Sequence, residues 1–175
     1  MSLKAPYYKV CIVGDFGVGK STLLHQFLEK RFLSNVESTI GANFFVKNVK
    51  IPEINYYISL QIWDLAGQDQ FKWVRRAFYK GARGIIYVFD LTRKETFDHI
   101  KNWKEEVENI CESIPNVLVG NKCDLIDNSI ISSETTNSLK QEIGACIYKE
   151  TSAKTGDGVD DVFTKLTIEM NKKSK

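Results

Sequence analysis

The chain of 175 residues carries 24 lysines and arginines against 22 aspartates and glutamates, with 43% hydrophobic residues and 26% charged ones. That size and composition fit one soluble globular domain with its own core, and a net charge of +2 is too mild to support a nucleic-acid binder. Cys11, Cys111, Cys123 and Cys146 form no C-x-x-C pair, so they read as reduced thiols of a cytosolic protein and not as a zinc site, with Cys11 and Cys146 expected in the core.

Residues 1–6, beginning MSL, read as a terminal tail, and the domain proper is expected over 7–171. The run YKVCIVG is interrupted by Gly14, too soon for a signal peptide or a membrane span, and predicts a buried strand. GDFGVGKS follows, satisfying G-x-x-x-x-G-K-S between that strand and the helical pattern STLLHQFLEK, in which Leu23, Leu24, Phe27 and Leu28 share a face. Such a loop turns backbone N–H groups around phosphates, and the helix N-terminus favours their charge. The candidate segment runs through Asp15, Phe16, Gly17, Val18, Gly19, Lys20, Ser21 and Thr22; Lys20 is expected on the β- and γ-phosphates and Ser21 on Mg²⁺.

Next, TIGANFFVKNVKIPEINYYISLQIWD offers two strand-like runs joined around Pro52 with no helix between, an antiparallel edge pair. LQIWDLAGQ ends the second run. Asp64 there suits a metal held through water, Gly67 can turn its N–H toward a terminal phosphate, and Gln68 can orient an attacking water. Alone, DLAG is a common turn and Gln68 a solvated polar residue. GIIYVFDLT predicts another buried strand, followed by a helix with Phe97, Ile100, Trp103, Val107 and Ile110 on one face.

NVLVGNKCD ends a further strand, where open α/β sheets bind ligands. Asp124 can accept from the N1–H and amine of guanine, whereas adenine offers neither, so a carboxylate there selects guanine. Lys122 can lay its stem along the base and Asn121 can tie loops together. CIYKETSA is the last strand; Ser152, Ala153 and Lys154 follow it, and the Ala153 N–H can reach the guanine O6, although TSAK by itself is an ordinary polar loop. Val159, Val162, Phe163, Leu166 and Met170 pattern a final helix, and 172–175 form a basic tail. MNKKSK carries no terminal cysteine, so no lipid anchor is expected within these residues. Strands alternating with helices give a doubly wound, mostly parallel α/β sheet with helices on both faces.

G-x-x-x-x-G-K-S, Thr39 in STIG, D-x-x-G-Q, N-K-x-D and T-S-A-K, in this order, resemble the Ras superfamily of small GTP-binding proteins over nearly the whole chain. IGANFF, LQIWDLAGQDQF and FYKGARGIIYVFDLT look most like the Rab family of membrane-traffic regulators. The resemblance implies a six-stranded G domain with one antiparallel edge strand, GTP or GDP and Mg²⁺ as ligands, Thr39 on the metal, Phe32 on the guanine and an effector surface of Phe44, Trp63 and Phe78. It further implies two switch segments, at about Phe32 to Phe44 and Asp64 to Phe78, held by the γ-phosphate and released on hydrolysis. Without the resemblance, that aromatic triad would be read as core.

Three residues depart from the family's pattern. Val36 stands where many relatives have a tyrosine able to close over the γ-phosphate, and Asn43 replaces the aspartate of the Rab IG-x-D-F stretch. Phe16 is the largest departure, bulky where Ras has glycine and Rabs usually have a small residue. Its ring is expected toward the γ-phosphate edge, in space used by the catalytic glutamine and by any arginine supplied in trans; alternatively it folds back and shields the site.

The expected function is that of a monomeric, cytoplasmic, Rab-like GTPase, with slow catalysis by Gln68 and Lys20. Its expected partners are an exchange factor, an activating protein and effectors, with no nucleic acid and with membranes reached only through a lipidated tail beyond these residues. A guanine-nucleotide-gated binding module with negligible hydrolysis is the alternative that Phe16 favours. An ATP-using P-loop enzyme is opposed by NKCD.

Overall fold

A computed structural model describes residues 6–52, 55–126 and 130–174. The expected MSL tail therefore lies outside the described residues. Six strands form one sheet: β1 (Tyr7–Val13), β2 (Ala42–Ile51), β3 (Tyr56–Leu65), β4 (Gly84–Asp90), β5 (Asn116–Asn121) and β6 (Tyr148–Thr151). Their order is β2-β3-β1-β4-β5-β6, and every pairing is parallel except β2 with β3, so the doubly wound sheet with one antiparallel edge strand is as expected.

Apolar side chains of β1 alternate between two cores. Val10 and Ile12 face α1 (Lys20–Glu29) and α6 (Val159–Lys173), whose Leu23, Leu24, Phe27, Val162, Phe163 and Leu166 complete that layer. Cys11 and Val13 face the opposite layer, where α2 (Lys72–Tyr79), α3 (Lys94–Asp98), α4 (Ile100–Glu108) and α5 (Ser133–Glu142) contribute Tyr79, Phe97, Ile100, Trp103, Val107 and Leu139. Burial on both faces explains why the central strands read as continuous apolar runs instead of alternating ones.

Several local expectations are corrected. The helix expected across Phe97 to Ile110 is two helices meeting at His99, and Ile110 lies beyond the second, which ends at Glu108. Cys146 is half-buried, whereas Cys11 is fully buried, because Cys146 lies in the segment leading into β6, an edge strand covered less well than β1. The last helix runs to Lys173, two residues into the expected basic tail, where Lys172 and Lys173 complement its C-terminal dipole. Lys173 Nζ also donates to the Ser113 carbonyl at 2.7 Å.

The layer between α1 and α6 closes on a stacked pair, Phe27 on Phe163, with centroids 3.8 Å apart and planes 7° off parallel. Phe163 is fully buried, so Phe163→Ala removes a large ring from a packed layer and is expected to destabilise the fold by about 3–5 kcal/mol. A lowered urea midpoint, measured at fixed nucleotide concentration, checks this.

Candidate functional site: a phosphate loop and its cavity

The segments carrying Lys20, Gln68, Asp124 and Ala153 leave the carboxyl ends of β1, β3, β5 and β6, and the Thr39 segment joins them from the amino end of antiparallel β2. The sheet order reverses about β1, with β3 on one side and β4 on the other, which is where an open α/β sheet makes its crevice. A cavity of about 490 Å³ lies there, lined among others by Lys20, Ser21, Thr39, Gln68, Asn121 and Asp124.

The loop from Gly14 packs directly on the end of β5. Gly19 has φ +97°, and a Cβ on it would stand 2.4 Å from Asn121 Nδ2, so the turn admits only glycine. Asn121 is buried and joins three segments: Nδ2 donates to the Val18 carbonyl at 3.0 Å, while Oδ1 accepts from Thr151 Oγ1 at 3.1 Å and from the Ala153 N–H at 3.3 Å. Val18 thus joins the site through its backbone, its side chain being in the core. Lys122 reaches across to donate to the Gly17 carbonyl at 2.9 Å and pairs with buried Asp90 at 2.7 Å. Ser152, fully buried, donates to Asp124 Oδ1 at 2.6 Å and orients that exposed carboxylate. Phe32, Ala153, Lys154 and Thr22 line the same cavity.

Lys20 is 6% exposed, its ammonium donating to the carbonyls of Gly14 and Asp15 at 2.8 Å each. Burial pushes its pKa down to about 8, against the pull of Asp64 and Asp15. Beside it, Asp64 Oδ2 accepts from Ser21 Oγ and, at 3.2 Å, from Thr39 Oγ1, and the two hydroxyls are 2.9 Å apart. Burial raises the Asp64 carboxyl, with the Ser21 and Lys20 contacts opposing it, and its Oδ1 is buried with no hydrogen-bond partner. Two hydroxyls and a carboxylate with an orphaned oxygen form a hard oxygen donor set, which fits Mg²⁺.

Gly67 and Gln68 line this cavity and also a second, polar cleft on the other side of the loop. A Cβ on Gly67 would lie 2.5 Å from both Asp15 C and Phe16 N, so the segment after β3 lies against the phosphate loop as closely as backbones can. Phe16 is 52% exposed and lines both clefts, at the wall it shares with Gln68. Asp15, expected among the nucleotide-binding residues, does not line the cavity and meets it only through the carbonyl that accepts from Lys20. Its carboxylate faces the second cleft, 2.6 Å from His99 Nδ1 and accepting from Trp103 Nε1 at 2.7 Å. Phe44, Trp63 and Phe78 lie apart from the cavity as a continuous aromatic patch, with centroids 4.7 and 5.0 Å apart, Phe44 being 47% exposed and directly opposite Trp63 in the sheet. Reading them as core from bare sequence fails for Phe44.

A sequence model of the Ras family matches residues 9–172. The chain belongs to the Ras family. It is Rab-like within that family, being 39% identical to the Ras-related protein RABD2c of Arabidopsis thaliana over 91% of this chain and 78% of that protein. To the Ras-related protein RIC1 of Oryza sativa subsp. japonica it is 40% identical, over 93% of this chain and 80% of that one. This Rab-like chain is accordingly a guanine-nucleotide-binding switch of the GTP hydrolase class. Among the described residues no helix is long and apolar enough to cross a membrane.

Sequence reasoning missed the groups that surround the phosphate loop from outside. Arg93 donates to the Phe16 carbonyl at 2.9 Å, and Arg75, Glu106 and Tyr79 form a buried network beneath Gln68. Trp103 was legible as part of an apolar stripe, but its bond to Asp15 was not. The available signal was Asp15 itself, since a carboxylate beside a polyanion site requires a partner.

The bond to Asp15 raises the His99 imidazole above its ordinary pKa, with partial burial opposing and the charges of Asp15, Asp98 and Glu95 adding. A raised folded-state pKa stabilises fully below the unfolded value of about 6.5 and is lost as pH rises through the folded value. The His99 side chain is 50% exposed, so the effect is screened. Wild type is expected to exceed His99→Gln in stability by up to about 1 kcal/mol at pH ~5.5, with the difference gone by pH ~8.5. Paired thermal melts at the two pH values check the sign.

Proposed function

We propose that residues 7–171 form a G domain that binds GTP and GDP with Mg²⁺, hydrolyses GTP slowly and regulates membrane traffic through effectors that recognise the GTP form. The observation that carries this is the convergence of Ser21, Thr39 and Asp64 beside buried Lys20, at the end of a cavity whose other end holds Asn121, Asp124 and Ala153. Ser21, Thr39 and, through water, Asp64 would hold the metal, which neutralises charge on phosphate oxygens when bound.

This chain's own residues do the rest. Lys20 exchanges its two carbonyl partners for phosphate oxygens, whose charge offsets the burial of its ammonium. Backbone N–H groups from Asp15 to Thr22 bind the phosphates. Asp124, oriented by Ser152, accepts from the guanine edge, with the Lys122 stem and Phe32 packing on the base. Gly67 turns its N–H to the terminal phosphate, and Gln68 aligns a water for in-line attack. Phe44, Trp63 and Phe78 form the surface for effectors, while an exchange factor and an activating protein set the populations of the two states. The likeness to Rab proteins supports a monomer in the cytoplasm, reaching cytosolic membrane faces through a lipidated tail beyond these residues, with no nucleic-acid partner.

A second reading, a nucleotide-gated binding module with negligible hydrolysis, is favoured by Phe16. Its half-exposed ring shares a wall with Gln68, in the region where an activating arginine would enter. In this family such an arginine accelerates hydrolysis by about 10³ to 10⁵.

Two measurements test these proposals. Asp124→Asn keeps one acceptor oxygen but turns an amide donor toward the second donor of the base, and should weaken GTP binding by roughly 10- to 100-fold, with no gain for ATP, in competition against a fluorescent guanine nucleotide. Phe16→Ser should hydrolyse GTP faster than wild type in single turnover, most of all with an activating protein present; equal rates in both backgrounds remove any inhibitory role for the ring.

A further inference from the structure

The second cleft, about 790 Å³, lies between α2, α4 and the outer side of the phosphate loop. Beneath it sits Arg75, 1% exposed, the only cation among the described buried residues besides Lys20. Its guanidinium is divided between two tasks. Nε and Nη2 grip both oxygens of Glu106 at 2.8 and 2.9 Å, while Nη1 donates to the carbonyls of Ala66 at 2.9 Å and Gln68 at 2.8 Å. Glu106 also accepts from Tyr79 Oη at 2.7 Å, and the guanidinium lies 4.4 Å from the centre of the Trp103 ring that bonds Asp15.

The two carbonyls flank Gly67. A trans peptide is planar, with its C=O and N–H pointing in opposite directions, so drawing the Ala66 carbonyl toward Arg75 aims the Gly67 N–H away from it. The same bond at Gln68 fixes the Gln68–Asp69 peptide and therefore the backbone from which the Gln68 side chain springs. Across from Arg75, Gly67 abuts the phosphate loop at Asp15 and Phe16. A lysine has no rigid fork that could hold a carboxylate and two carbonyls at once.

We propose that Arg75 is a positioning residue for GTP hydrolysis: anchored by Glu106, it fixes the Ala66–Gly67 and Gln68–Asp69 peptides so that the Gly67 N–H and the Gln68 side chain meet the terminal phosphate and its attacking water. The proposal rests on the roles given above to Gly67 and Gln68. Arg75 itself does not line the nucleotide cavity. It acts through the backbone alone, and the Trp103 to Asp15 bond ties the same cluster to the phosphate loop.

The test uses the full chain loaded with GTP and compares single-turnover hydrolysis, release of a fluorescent GDP analogue and melting temperature. Arg75→Met is paired with Glu106→Gln so that no charged carboxylate is left buried alone; Arg75→Lys, which keeps a cation opposite Glu106, is the second variant. Both are expected to hydrolyse GTP roughly tenfold or more slowly while releasing GDP within about threefold of wild type. Adding either change to Gln68→Ala should produce little further loss, because the two act through one group. Wild-type hydrolysis in the folded Arg75 variants, or an undiminished loss on top of Gln68→Ala, overturns the proposal. A Gln68→Ala variant as fast as wild type overturns the role of Gln68 and this proposal with it, whereas a slow Gln68→Ala beside wild-type-like Arg75 variants overturns this proposal alone.

Discussion

A cation buried at the carboxyl end of β1 is the constraint on which the rest of the site depends. An ammonium taken out of water is costly unless something compensates it, and among the described residues Lys20 is compensated by two carbonyls of its own loop and by Asp64 and Asp15 nearby. That deficit makes the site a receptor for a polyanion. It also explains why neighbouring segments are organised as they are: Ser21 and Thr39 converge on Asp64, and the loop is braced from behind by Asn121 and Lys122. A loose loop would let the ammonium escape to solvent.

The bracing is polar, buried and specific in direction. Asn121 satisfies three backbone or hydroxyl partners with one amide, and Arg75 with Glu106 does the equivalent on the far side of the loop. Buried ion pairs of this kind are weak contributors to net stability compared with apolar packing, but losing one partner leaves an uncompensated charge. Their value lies in fixing one arrangement of the backbone. In a switch protein that requirement is acute, because the segments after β3 must adopt one geometry against the phosphate loop in order to report what the loop holds.

Phe16 shows how the two clefts share a wall. With its carbonyl held by Arg93 and its backbone N against Gly67, the residue keeps the loop's main-chain geometry while projecting a half-exposed ring between them. On the proposed function, holding nucleotide would use the backbone at position 16, whereas releasing the terminal phosphate would have to contend with the side chain.

The sequence by itself determined the order of the six strands, the double-sided burial of the central ones, the antiparallel edge pair around Pro52 and the phosphate-loop and guanine-edge sequence motifs, but not α2 or α5, which it did not predict. Each of these is local: periodicity, spacing and residue type carry it within a dozen residues. Only the tertiary structure decided what lies behind those motifs. Asp15 turns away from the cavity to His99 and Trp103, more than eighty residues on, and Arg75 bonds the carbonyls flanking Gly67 because α2 folds back across α4. The aromatic triad could not be separated from core in the sequence, since a ring on the open face of an edge strand and a ring in a packed layer have the same composition and period. The break at His99 and the half-exposure of Cys146 were hidden for the same reason: both depend on which neighbours cover a segment, and coverage is a property of packing between elements and not of the residues within one.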